Sequence, residues 1–171
     1  MDARNEWNDL QATLEHLVNA YQRLLDMSKR QKNLLIENKV EELSSLLQEM
    51  GTLTDNIFVL DDRRRMHMEL LSEGASMEIL TLQELAKYWP DFDSTEIFAS
   101  ADKLRTIRTD LIKVTKLNTA LTLRAQSYVQ SMVNLLVRIP GKGNTRPKVY
   151  DAKGKLNRSK PAVRNLLNRR G

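Results

Sequence analysis

Few residues in this chain have side chains that could do covalent or metal chemistry. The only histidines are His16 and His67, and there is no cysteine. A metal centre needs several His, Cys, Asp or Glu residues at ligand spacing, and a nucleophile needs a base beside it. Neither histidine has such a local pattern, so each reads as a half-exposed helix residue, with no metal or cofactor expected. Gly141-Lys142-Gly143 lacks the flanking strand and helix that turn a glycine loop into a phosphate cradle. Without cysteine, disulfides and thiolate metal sites are excluded. The chain is therefore not expected to be an enzyme.

Two stretches could instead do recognition chemistry. Tyr128, Val129, Met132, Val133, Leu135, Leu136, Val137 and Ile139 are all apolar and occupy more than one face of a helix. A helix that is apolar nearly all round has to be buried by something. Val129, Val133 and Leu136 lie off its main stripe and are candidates for contact with another molecule, either a foreign helix or a second copy of the chain in a homodimer. The other stretch is basic. Residues 140–171 carry ten Lys or Arg against the single acid Asp151, leaving 17 bases and 21 acids in the rest of the chain. Such a tail would bind nucleic acid weakly through counterion release, and a coiled-coil nucleic-acid-binding protein acting through it is the alternative function. Tyr150 is its one aromatic, too few for a base-stacking reader, so no specific nucleic acid is expected.

The elements that position these stretches are helices. Leu104, Ile107, Leu111, Val114, Asn118, Leu121, Ala125, Tyr128, Met132, Leu135 and Ile139 keep a 3-4 spacing over five heptads, which predicts one helix over 94–139. Asp93 and Glu96 read as its capping box, and Pro140 with Gly141 stops it. At 1.5 Å per residue it is roughly 70 Å long. Asn118 is the one polar position in that stripe, and a buried amide there would set register.

Trp7, Leu10, Leu14, Leu17, Tyr21, Leu24 and Leu35 form the seam of a first helix over 5–37. Continuing that phase would put Asn38, Glu42, Ser45 and Glu49 in the core, so the helix is expected to break at Asn38, with Asn38 and Glu41 capping the next. The competing pattern is one bent helix through this point. A second helix over 39–71 tolerates Gly51, residues 72–76 read as a loop, and Thr81 with Glu84 caps a short helix over 82–88, onto which Leu80 could staple at Leu85. Trp89 and Phe92 read as plugs for the end of a bundle. The first two helices reach only about 50 Å, so part of the longest one needs other cover.

The expected fold is all-α: an elongated antiparallel three-helix bundle or coiled coil with one short connecting helix. Residues 1–139 form the bundle and 140–171 a flexible basic tail, disordered when free. Aromatic content of 5% and few Gly and Pro fit long helices. The N-terminus lacks the apolar core of a secretory signal, and the longest aliphatic or aromatic run, Ile57 to Leu60, is far too short for membrane insertion. A soluble, cytoplasmic protein is expected.

Together these residues resemble the FlgN-type flagellar export chaperones. The resemblance rests on two long helices split at an Asn-containing turn, Thr-Leu-Gln-Glu-Leu at 81–85, Leu117-Asn118 with Leu121 in a long third helix, and Val149-Tyr-Asp-Ala-Lys-Gly154. It implies a cytosolic chaperone of type III flagellar export that binds terminal helical segments of the hook-filament junction proteins FlgK and FlgL. The client surface it implies is Leu117, Leu121, Tyr128, Val129, Met132, Val133 and Leu136. Tyr150 of the Tyr-Asp-Ala-Lys-Gly motif would dock on the export gate protein FlhA. The basic stretch after Gly154 is longer than the family pattern leads one to expect.

Overall fold

A computed structural model describes residues 2–75 and 81–138. Its elements are α1 (Ala3–Glu37), α2 (Val40–Ala75), α3 (Leu82–Tyr88) and α4 (Thr95–Arg138), with no strand among the described residues. The chain divides into two units, Met1–Ser127 and Tyr128–Gly171. The expected tail over 140–171 and Leu80 both lie outside the described residues.

In the first unit the apolar spacing of α1 becomes a core. Trp7, Leu10, Leu14 and Leu17 are buried against Leu53, Ile57, Met68 and Leu71 of α2, Leu85 of α3 and Ile97 of α4. The order is up, down, up. Arg30 approaches Glu42 near the turn and His67 meets Glu6 at the far end, so α1 and α2 are antiparallel. Trp7 Nε1 donates to the Asp93 carbonyl just before α4, and Asn118 Nδ2 donates to the Ser28 carbonyl, so α4 runs back alongside α1 in the same direction.

The break at Asn38 is real, but its chemistry differs from the expectation. Asn38 has φ 55° and ψ 38°, the one positive φ outside glycine among the described residues. Its N–H and that of Lys39 both turn back to the Leu34 carbonyl, and the Lys39 carbonyl accepts the first bond of α2 from Leu43. Asn38 therefore closes α1 in the left-handed conformation that asparagine tolerates, and Lys39 opens α2. Close to this turn Glu37 hydrogen-bonds Lys39 and, with the charge of Glu42, holds its amine above the ordinary lysine value.

Helix α2 also runs one turn further than expected, to Ala75. Leu71 and Ala75 are both buried, so tertiary cover extends the helix through Ser72–Gly74. Gly74 lies under Trp89, where an added Cβ would sit 3.8 Å from the indole ring. Helix α3 starts as read: both halves of the Thr81–Glu84 capping box form, and Leu85 is sealed. Past α3, Trp89 stacks on Phe92 with ring centroids 5.2 Å apart, and Phe92 meets Trp7 edge to face. These are the two aromatic plugs of the bundle end, packed against its core.

Candidate functional site

The second unit is described from Tyr128 to Arg138, and its side chains to Val137. At roughly 100° per residue, Leu135, Tyr128, Met132, Leu136, Val129, Val133 and Val137 sweep an apolar arc of about 200°. Gln130, Ser131 and Asn134 fill the remaining strip, where Gln130 Nε2 donates to Asn134 Oδ1 at 3.2 Å. No charged residue stands between Arg124 and Arg138. All seven apolar side chains are exposed, from 45% for Val133 to 79% for Val137. Solvent-facing helix normally carries charge, so an uncharged, largely apolar stretch left in water is the candidate contact surface of this chain.

Of the residues expected to hold a client, Tyr128, Val129, Met132, Val133 and Leu136 thus share one arc. Leu135 and Val137 belong to it equally; their apolar character was visible in the sequence, although they were not among the expected client residues. Leu117 and Leu121 belong to the first unit. There Leu117 is exposed and Leu121 half-buried, on either side of Asn118, which is buried. Asn118 Nδ2 donates to the Ser28 carbonyl at 2.9 Å and to Gln31 Oε1 at 2.8 Å, while its Oδ1 has no partner among the described residues. The amide therefore ties α4 to α1 at one register. Tyr150 lies outside the described residues.

The apolar arc offers no thiol, carboxylate or imidazole. Its seven side chains can exclude water from a partner's apolar face, with methionine adapting to the fit. Charge chemistry sits in the first unit. Burial pushes the Asp61 carboxyl up, but hydrogen bonds and charge from Arg64 and Arg65 outweigh it and hold the group below the usual carboxylate range. The Thr95 backbone N–H holds Asp93 below that range as well, at the start of α4.

His67 departs from its half-exposed expectation. It is buried, with Nδ1 at 2.9 Å from Glu6 Oε2, and Asp9 completes a group whose donor atoms lie within 4.8 Å of one another. The pairing spans 61 positions, so no local spacing could have displayed it. His16 is exposed.

A family model described as FlgN protein matches residues 1–158. No curated protein and no solved structure matches the chain.

Proposed function

The chain belongs to the FlgN family of flagellar export chaperones, and from that premise we propose that the apolar arc of α4 between Tyr128 and Val137 is where it holds its clients. The clients are the terminal helical segments of the hook-filament junction proteins FlgK and FlgL, kept from aggregating in the cytoplasm and then delivered to the export gate protein FlhA. The observation that carries this reading is the exposure of seven large apolar side chains on an uncharged length of helix. An amphipathic client helix lays its own anchors at i, i+3, i+4 and i+7 into such a face. Leu117, exposed on the first unit, is a further contact, and Tyr150 is the docking residue for the gate. No helix among the described residues is long and apolar enough to cross a membrane, in keeping with action on a client in solution.

The test is binding of the purified chain to peptides of the junction proteins' terminal helices, measured by calorimetry, beside a chain ending at Ser127. The full chain forms a one-to-one complex and the shortened chain binds none. Equal binding by both would overturn the site assignment. A second copy of the chain is the competing occupant of the arc. Light scattering then shows a homodimer that Val133→Asp dissociates, with no peptide bound.

A further inference from the structure

One group of metal-competent side chains in the first unit has no part in client binding. Glu6 and Asp9 stand three residues apart on α1, so both carboxylates fall on one face of that helix. His67 reaches them from α2, which runs antiparallel, and one donor atom from each residue lies within 4.8 Å of the other two. We propose that Glu6, Asp9 and His67 bind a divalent transition metal of the zinc class and so join α1 to α2.

The donor set and its charge select this class. With the imidazole ligating through an unprotonated nitrogen, the bound set carries the charge of its two carboxylates, which a divalent cation neutralises. A nitrogen ligand suits zinc, cobalt or nickel, whereas magnesium and calcium favour oxygen throughout. Three protein ligands with one open position is the pattern of an accessible zinc site.

The surroundings fit as well. His67 is buried and its ring is already turned toward the carboxylate of Glu6, which is half-buried. Asp9 is exposed, and no hydrogen bond or ion pair engages its carboxylate among the described residues, so it leaves an entry path and a free ligand. Tetrahedral zinc bonds of about 2.0–2.2 Å hold ligand atoms about 3.4 Å apart, so donors up to 4.8 Å apart close by side-chain rotation while the 2.9 Å Glu6–His67 contact opens slightly.

The competing account is a plain His67–Glu6 hydrogen bond, and it has no use for Asp9. Asp9→Asn therefore separates the two. With two histidines and no cysteine in the whole chain, few other sites can hold such an ion. The full-length chain is titrated with zinc by calorimetry and with cobalt by visible absorption, alongside Asp9→Asn, His67→Gln and His16→Gln.

The expected result is one saturable zinc ion per chain, a cobalt spectrum, and a rise in Tm at saturating zinc. Asp9→Asn and His67→Gln each weaken binding about tenfold or more and reduce the Tm rise, and His16→Gln changes neither. Absence of saturable binding below about 1 mM, or affinity unchanged in Asp9→Asn, overturns the proposal. Should His67→Gln fail to fold, the exposed Asp9→Asn variant decides alone.

Discussion

Leu10 and Leu136 are both leucines on the apolar face of a long helix, and the two regions they belong to end in opposite environments. Leu10 is wholly sealed within the first unit, whereas Leu136 in the second is 64% exposed. The 3-4 spacing along α4 does not change between them in kind. Ile97 and Ile107 are buried, Leu111 and Leu121 half-buried, and from Leu123 to Val137 the large apolar side chains are open to water. Spacing says that a helix face needs cover; it does not say who supplies it. In the first unit the chain covers itself, and burial becomes stability. In the second the same kind of surface stays open, and under the proposed function its burial would become affinity for a client.

The largest test of that contrast is a pair of truncations. Leu10→Ala should cost about 2–5 kcal/mol in urea unfolding, because it opens a cavity among α1, α2, α3 and α4 side chains. Leu136→Ala should stay within about 0.5 kcal/mol of wild type in the same experiment, as substitutions at exposed positions do. A large loss from Leu136→Ala would mean that the arc is folding core after all. The next effect is on affinity. Val133→Asp should weaken client peptides by about 10- to 100-fold in calorimetry without lowering Tm, since it places an unpaired charge in an apolar contact.

Asn118 sharpens the boundary between the regions. Asn118→Ala removes the bonds to Ser28 and Gln31 and should cost about 1–3 kcal/mol by urea unfolding. Client affinity should not follow it, because the amide faces α1.

The smallest effect is a pH dependence confined to the first unit. Asp61 titrates below its ordinary value of 3.8, so the stability it contributes is full above that value and fades as pH falls through the folded value. The gap in urea midpoint between wild type and Asp61→Asn should be present at pH 7 and shrink at pH 3. Client affinity carried by the uncharged arc should show no matching change.

Much of the fold could be read from residue order because its causes are local. The capping box of Thr81 and Glu84, the buried phase of Trp7, Leu10, Leu14 and Leu17, and the interruption at Asn38 all follow from neighbours within a few positions. The departures have causes that composition does not display. Ser72 to Ala75 look like a loop by composition, yet the burial of Leu71 and Ala75 carries the helix through them. Asn38 was assigned to the wrong helix, because its left-handed backbone is a property of the closed turn and its side-chain chemistry suits either role. Within the candidate site, the membership of Tyr128, Val129, Met132, Val133 and Leu136 was legible as excess apolar character, and Leu135 and Val137 carried the same signal.

By itself the sequence determined that this chain would be helical, where its long helices would lie, and that the last described part of α4 would be too apolar for water. These are consequences of a 3.6-residue period and of side-chain type, both readable along a single strand of text. Only the tertiary structure decided which lengths of apolar face the chain covers for itself, and that Glu6, Asp9 and His67 come together. Burial and ligand geometry depend on residues far apart in the chain, and their meeting is set by how α1, α2 and α4 pack rather than by any spacing within one of them.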